Sequence, residues 1–259
     1  MRTDEFAKHT AALRDLGGSR VWSLMISIFG DLAQDRGQSI PGPVLSAIMA
    51  GLHVKPEAAR VALHRLRNDG WIISQKSGRI SEHSLSDKGR AESAAASPRI
   101  YASPDHAKTG WQFVMTSGDE VDISGEGFIR LQPRIYVGPA TAKVPDDALC
   151  FTGSDVPPWL RTEAAPRETQ QGFAALGDQL KALQIALGSD PSISPLQVAV
   201  IRTLIVHNWR RLVLKHPTLP APLVDPEDPA AQCQLRVTEM LKQYPRPRLK
   251  DINQQRMAA

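Results

Sequence analysis

The sequence VKPEAARVALHRLRNDGWIISQKSGRISEHSLSDKGR at residues 54–90 predicts a helix followed by a β-hairpin. Pro56 stands where a helix can begin, because the first helical residue needs no backbone N–H. Asn68-Asp69-Gly70 ends the helix. Apolar residues recur at helical spacing between these two points, and they predict an inward face made of Ala58, Val61, Ala62 and Leu66.

A basic turn joins the two predicted strands. Trp71-Ile72-Ile73 begins the first strand, Lys76-Ser77-Gly78-Arg79 forms the turn, and residues 80–85 return as the second strand. Two amphipathic helices, at residues 20–33 and 41–52, precede this segment. Three helices and a hairpin in this order favour a winged helix-turn-helix, in which one helix enters the DNA major groove and the hairpin tip touches the flanking backbone.

Basic and polar side chains occupy both zones that would touch DNA. Arg60 could hold guanine O6 and N7 with two hydrogen bonds, because its planar fork matches that pair of acceptors. Arg65 and Arg67 lie further along the helix and suit phosphates. The predicted DNA contacts are Lys55, Arg60, His64, Arg65, Arg67, Lys76, Ser77 and Arg79.

The chain as a whole is predicted to be α+β and multidomain. We expect a winged helix domain at 1–95, a small ferredoxin-like α+β domain at 105–160 and a helical domain at 165–250. The Ala-, Ser- and Pro-rich stretch 91–110 and the prolines within 157–167 indicate the boundaries.

Composition indicates a globular protein with a modest excess of positive charge. The 259 residues are 42% hydrophobic and 22% charged, with a formal net charge of +4, which suits an anionic partner. Cys150 and Cys233 lie far apart and predict two free thiols in a reducing compartment. The N-terminus lacks the apolar core of a secretion signal, and no apolar run reaches the ~20 residues that a membrane span needs. We therefore expect a cytoplasmic protein with no membrane partner.

Sequence motifs of the common enzyme classes are absent. The chain has no H-E-x-x-H, G-x-S-x-G or Walker sequence, and its seven histidines follow no metal-binding spacing. We therefore predict no enzyme, no cofactor and no metal. Two alternatives stay open. One is a metal-dependent nuclease using Asp119, Glu120 and Asp122, and the other is a protein-interaction scaffold that uses a winged helix without DNA.

Five segments, taken in order, resemble the PaaX family of repressors of phenylacetate catabolism. They span nearly the whole chain, from the first strong helix to the C-terminal helices. The segments are SLMISIFGDLAQDRGQSI at 23–40, AARVALHRLRNDGWI at 58–72, Arg99-Ile100-Tyr101, GFIRLQPRIYVGP at 127–139 and HNWRRLVLKHPTLPAPLV at 207–224.

The resemblance implies a winged helix, a middle ferredoxin-like domain related to a CRISPR adaptation nuclease, and a C-terminal helical domain. It also implies a homodimer on palindromic double-stranded promoter DNA, released by an aryl-CoA thioester, typically phenylacetyl-CoA. Three departures concern the effector: Arg134-Ile135-Tyr136 replaces Gly-Val-Trp, Pro226-Glu227-Asp228-Pro229 replaces Asp-Trp-Pro-Gly, and Gly125 and Gly127 stand where a helix is expected.

Candidate effector-binding residues are His207, Arg210, Arg211 and Arg134. Arginines pair with phosphates through bidentate hydrogen bonds, so those of the C-terminal segment suit the phosphates of CoA. The alternative is that these residues form structural ion pairs or dimer contacts. Trp209 fits a core or interface position better than a clamp for an aryl ring.

The sequence thus predicts a DNA-binding transcriptional regulator. The specific hypothesis is a homodimeric repressor of an aromatic-acid or related catabolic operon that a small-molecule acyl-CoA effector releases from DNA. A dimer of this kind places two recognition helices about 34–36 Å apart, in successive major grooves.

Overall fold

The computed structural model divides the chain into two compact units. Unit 1 comprises Met1–Tyr101, Asp178–Arg210 and Glu239–Ala259, and unit 2 comprises Ala102–Gly177 and Arg211–Thr238. The structure describes residues 3–18, 20–102, 110–124, 127–153, 155–165, 167–188, 192–215, 223 and 227–252. The predicted boundaries at 1–95, 105–160 and 165–250 stay a prediction, because grouping by packing does not show which segments fold alone.

The N-terminal part of unit 1 has the predicted order of elements. Its three-stranded antiparallel sheet has the order β1-β3-β2. The elements are α1 (Thr3–Leu16), α2 (Val21–Leu32), β1 (Ile40–Pro41), α3 (Gly42–Gly51), α4 (Pro56–Asn68), β2 (Ile72–Ser77), β3 (Ile80–Leu85) and α5 (Asp87–Ile100).

Local chemistry explains the bounds of these elements. Helix α4 begins at Pro56, as predicted. The hairpin turns at Gly78-Arg79, and Gly78 has φ of +62°, a backbone conformation that glycine adopts without steric cost. Lys76 and Ser77 therefore lie at the end of β2 and not in the turn where the sequence placed them.

Helix α5 extends into the stretch that was interpreted as a domain boundary. Ser86 caps the helix as predicted, since its hydroxyl accepts the Gly89 N–H at 3.0 Å. The Ala- and Ser-rich residues that follow remain helical to Ile100, with Pro98 inside the helix, because alanine is a strong helix former. Residues 103–109 of the predicted boundary lie outside the described residues.

Unit 2 contains a four-stranded antiparallel sheet of order β5-β6-β4-β7. The strands are β4 (Trp111–Met115), β5 (Ile129–Gln132), β6 (Ile135–Pro139) and β7 (Leu149–Gly153). Numbered within the sheet, this order is 2-3-1-4, which is the order of a ferredoxin-like βαββαβ unit. The two crossovers contain no α-helix within their described residues, 116–124, 127–128 and 140–148. The ferredoxin-like assignment stays a prediction.

The structure confirms the helices that the sequence predicted in the C-terminal half. These helices are α6 (Pro158–Ala164), α7 (Arg167–Leu187), α8 (Pro195–Val213) and α9 (Pro229–Gln243). Helices α7, α8 and α9 each contribute residues to both units. The leucines predicted on the inner face of α7 are buried, and they are Leu176, Leu180, Leu183 and Leu187.

A buried ion pair joins α2 to α8 inside unit 1. Arg202 donates from Nε and Nη2 to the two carboxylate oxygens of Asp31, each at 2.8 Å. Its Nη1 donates to the carbonyl oxygens of Leu241 and Tyr244, at 3.1 and 2.6 Å. The side chains of Arg202 and Asp31 are 4% and 1% exposed, so this pair is shielded from water and salt.

Two further groups complete the shell of Asp31. The Tyr101 hydroxyl donates to Oδ1 at 2.8 Å, and Arg246 Nε lies 3.2 Å from the same oxygen. Burial raises the pKa of Asp31, but the hydrogen bonds and charge of Arg202, aided by Tyr101 and Arg246, outweigh burial and leave that pKa below its usual value. The carboxylate is therefore ionised, and its partners make burial tolerable.

Replacing Arg202 should destabilise the protein strongly. We expect Arg202→Met to lower the free energy of unfolding by about 3–5 kcal/mol, because it leaves the Asp31 charge buried beside fewer partners. Urea unfolding followed by circular dichroism measures this. The matched control is Arg79→Met in the exposed hairpin turn, which should change the free energy by less than about 0.5 kcal/mol. Equal losses in the two variants would contradict the role given to the pair.

Candidate nucleic-acid interface

Helix α4 presents a basic face to solvent. Ala62 and Leu66 are buried, and through this side the helix packs against α2 and α3. All of the residues that the sequence predicted as contacts are exposed: Lys55, Arg60, His64, Arg65 and Arg67 on or beside α4, and Lys76, Ser77 and Arg79 on the hairpin. We call the first five the basic face and the last three the hairpin tip.

The prediction that Val61 lies on the inward face of α4 is wrong. The residue was expected to face the core, but it is 69% exposed. Ala58, Ala62 and Leu66 follow one another at four-residue spacing, and Val61 falls outside that narrow row. It lies three residues before His64 and is thus its neighbour on the helix surface. The three-residue spacing between Val61 and His64 could have shown that both lie on the exposed face. Because valine is apolar, it was instead assigned to the buried face.

Arg60 lies near the start of α4 in a weak ion pair. Its Nη2 is 3.3 Å from Glu57 Oε1, and the two side chains are 75% and 72% exposed. Exposed pairs of this kind contribute little stability, because water and salt screen them. The guanidinium can therefore exchange Glu57 for another acceptor at small cost.

Arg65 contacts two side chains, Trp22 and Asp69. Its guanidinium lies 5.2 Å from the centre of the Trp22 ring, and its Nε is 3.5 Å from the carboxylate of Asp69. A cation above an indole face is attracted by the ring quadrupole. Trp22 thus orients a cation of the basic face, a role that sequence reasoning missed because the two residues are far apart in the chain.

The hairpin is anchored at its base and exposed at its tip. Ile72 and Leu85 are buried at the base, where they pair across the strands. His83 is also buried, with Nδ1 2.8 Å from the hydroxyl of Ser74. Burial and the nearby charge of Arg67 lower the pKa of His83, so this ring is held neutral inside the sheet. The tip carries its basic groups on a fixed base.

His207, a predicted effector residue, lies inside unit 1. It is 1% exposed, with Nδ1 3.3 Å from Ser27 Oγ and Nε2 3.2 Å from the Gly17 carbonyl oxygen. A carbonyl oxygen can only accept, so Nε2 carries the proton in that contact. His207 therefore ties α8 to α2 and to the end of α1. Its role in effector binding stays a prediction.

The other candidate effector residues have contacts of their own. Arg210 donates from Nη2 to Ser23 Oγ at 2.8 Å within unit 1. Arg134 lies in the β5–β6 turn with φ of +66°, and its Nε donates to the Thr116 carbonyl at 2.9 Å. Arg134 and the exposed Arg211 belong to unit 2. Trp209 was predicted to be a core or interface residue, and the structure places it in the core, where it is 3% exposed and donates to the Ile100 carbonyl at 2.9 Å.

The acidic segment of the nuclease alternative forms a local turn. Asp122 accepts hydrogen bonds from the Ser124 N–H at 2.9 Å and from its hydroxyl at 2.6 Å. The part of the chain that the structure describes holds no group of three or more His, Cys, Asp or Glu residues able to bind a metal ion. Among the same residues, no helix has the length and apolar character to cross a membrane.

Comparison with known proteins finds matches at both ends of the chain. The family model described as PaaX-like protein matches residues 20–89, and the model described as PaaX-like protein C-terminal domain matches residues 166–247. The transcriptional repressor PaaX of Escherichia coli strain K12 is 28% identical over 254 residues, which cover 86% of this chain and 79% of that protein.

A solved structure shares the fold. An uncharacterized protein from Mycobacterium tuberculosis superposes with a TM-score of 0.51 at 18% identity, covering 86% of this chain and 96% of its own. At this identity the likeness concerns the fold alone.

Truncating Val61 and truncating Leu66 should have different effects on stability, because the two residues lie on opposite faces of α4. We expect Val61→Ala to change the free energy of unfolding by less than about 0.5 kcal/mol, because the side chain is exposed. Leu66→Ala should cost about 2–5 kcal/mol, because Leu66 is 1% exposed and its loss leaves a cavity. Urea unfolding of both variants measures the difference, and a large loss for Val61→Ala would place this residue in the core after all.

Proposed function

The chain belongs to the PaaX-like protein family, and from this premise we propose that it is a DNA-binding transcriptional repressor. Its two matching family models and the repressor relative support a regulator of transcription and not an enzyme. The finer parts of the proposal are the way in which it reads DNA, its assembly and its effector.

The exposed basic face of α4, together with the exposed hairpin tip, is the observation that carries the proposal. Helices α2, α3 and α4 with the sheet β1-β3-β2 have the order of a winged helix-turn-helix. In that arrangement α4 enters the major groove and the hairpin tip lies against the flanking backbone. Cations in both zones neutralise phosphates and release counterions, so affinity must fall as salt rises.

Three residues of α4 have distinct proposed roles. Arg60 reads guanine through O6 and N7, because its weak pair with Glu57 yields easily. Val61, exposed beside it, offers an apolar surface to the methyl group of thymine. Arg65 binds a phosphate, since its guanidinium lies over the Trp22 ring, and its exposed pair with Asp69 can exchange for another acceptor.

The proposed assembly is a homodimer on a palindromic operator, with the two α4 helices about 34–36 Å apart or at a multiple of that spacing. The proposed effector is phenylacetyl-CoA or another acyl-CoA from an aromatic-acid or related catabolic route. It can release DNA only if it binds one arrangement of the protein better than the other. For the middle segment we propose a shortened ferredoxin-like unit, supported by the strand order of its sheet.

The first test is fluorescence anisotropy of the full-length protein with promoter DNA from upstream of its own operon. We expect tight binding at 50 mM salt that weakens at 200 mM by ~10³-fold or more, if about six phosphates are contacted. A scrambled duplex of equal length is the control. Absence of binding at low salt would contradict the proposal and favour a protein-interaction scaffold.

Variants of the basic face and of the hairpin tip should change DNA binding in different ways. Arg60→Ala should cost about 1–3 kcal/mol on the operator and relax the preference at one base pair, since it removes a contact to a base edge. Lys76→Ala should weaken operator and scrambled DNA alike and reduce the salt slope by about one. Lys181→Ala, an exposed lysine of α7, is the matched control. An unchanged base preference in Arg60→Ala would show that α4 is wrongly placed in the groove.

A further inference from the structure

A cavity of about 690 Å³ lies in unit 1 beside the first turn of α4. Its volume is typical of small-molecule sites, which measure roughly 300–1,000 Å³. The walls come from the end of α1, the start of α2, the α3–α4 turn, the first turn of α4 and the middle of α8. All of its lining residues belong to unit 1.

The lining combines apolar side chains with basic ones. The apolar part includes Leu13, Leu24, Val54 and Leu204. The basic part includes Arg14 and Lys55, while Asp15 is the acidic residue of the lining. Permanent positive charge thus exceeds negative charge before any histidine is considered. A complementary ligand has an apolar body and an anionic group.

Arg14 is held in place by hydrogen bonds within α1. Arg14 donates to Thr10 Oγ1 at 2.5 Å and to the Ala7 carbonyl at 2.7 Å, and its guanidinium has more donors than these two bonds use. His207, fixed by Ser27 and Gly17, lines the cavity from α8. A preorganised donor such as Arg14 loses little entropy when a ligand binds, whereas both ring nitrogens of His207 already have partners.

The wall next to α4 is a tight turn in an unusual conformation. The His53 N–H donates to the Ala50 carbonyl at 2.9 Å, and the Val54 N–H donates to the Met49 carbonyl at 3.0 Å. These two bonds form a Schellman motif, whose left-handed position glycine usually occupies. Here His53 occupies it, with φ of +59°, and its side chain contributes to the cavity. Backbone strain accepted at a pocket wall is typical of functional sites.

We propose that this cavity binds an organic anion with an apolar body, and that the anion weakens DNA binding through Lys55 and the start of α4. The inference rests on the proposed function, because it takes α4 as the helix that reads DNA. Lys55 is the N-cap residue of α4, lines the cavity and is a predicted DNA contact. An anion beside its ammonium withdraws that cation from the phosphates and adds negative charge where DNA must approach.

The coupling is reciprocal. If the anion lowers the affinity for DNA by some factor, then DNA lowers the affinity for the anion by the same factor. Val54, Lys55 and Ala58 line the cavity at the start of α4, so a bound molecule contacts the helix that we propose reads DNA.

The probe for the first experiment is 1-anilinonaphthalene-8-sulfonate, which has apolar rings and a sulfonate and fluoresces when shielded from water. We expect saturable binding to the full-length protein. Arg14→Gln should weaken it about tenfold, the factor for one charge-assisted hydrogen bond. Val21→Trp, which fills the cavity from the start of α2, should weaken it at least as much. Lys8→Gln, an exposed residue of α1 outside the cavity, should bind the probe like the wild type.

Far-UV circular dichroism shows whether each variant is folded. If Val21→Trp does not fold, the milder variant Arg14→Gln still tests the cavity. Equal probe affinity in wild type, Arg14→Gln and a folded Val21→Trp would overturn the cavity as the binding site.

The second experiment repeats the operator anisotropy with and without saturating probe. We expect the probe to weaken DNA binding of the wild type and of Lys8→Gln by roughly tenfold, within the usual range of coupling between sites. The effect should be lost in Val21→Trp. Probe binding without any change in DNA affinity would overturn the regulatory inference. Failure of the wild type to bind DNA without probe would instead overturn the proposed function, and the probe titrations alone would then decide the cavity.

Discussion

The ion pair between Asp31 and Arg202 is the constraint on which the rest of unit 1 depends. A carboxylate that is 1% exposed cannot stay charged without compensating donors, and its partners come from residues 70 or more positions away in the chain. Helix α2 can therefore bury its apolar face only where α8, Tyr101 and the segment after α9 meet it. The helix that supports α4 is fixed by the C-terminal part of the chain.

The same contacts explain what the segments shared with the PaaX-like family do. Ser27 and Asp31 lie in the first segment, Ile100 and Tyr101 in the third, and His207 and Trp209 in the fifth. Inside unit 1 these residues bond to one another through His207 with Ser27, Tyr101 with Asp31 and Trp209 with Ile100. These segments are distant in sequence, and the three hydrogen bonds join each of them to the other two, so these residues stabilise the packing of unit 1.

Support from the C-terminal helices also connects the exposed basic face of α4 to the interior of unit 1. Helix α4 exposes Arg60, Val61 and His64 on one side and packs through Ala62 and Leu66 on the other. Its first turn and the Schellman turn before it border a cavity that α8 closes with His207 and Leu204. A molecule in that cavity would touch the start of α4 directly. Lys55 belongs both to the lining of this cavity and to the basic face of α4.

The sequence by itself determined the local elements. Local signals sufficed for this, because each acts over a few residues of the chain. They are the apolar period of α2 and α4, Pro56 at a helix start, Gly78 in the hairpin turn and Ser86 as a helix cap. The sequence also predicted correctly that the basic side chains of α4 and of the hairpin are exposed, because removing a charge from water is costly. Only the tertiary structure decided that Val61 faces solvent, that Trp22 holds Arg65, that His207 is buried and that Arg202 reaches Asp31. Each of these depends on which distant segments meet, and periodicity within one helix carries no information about its partner.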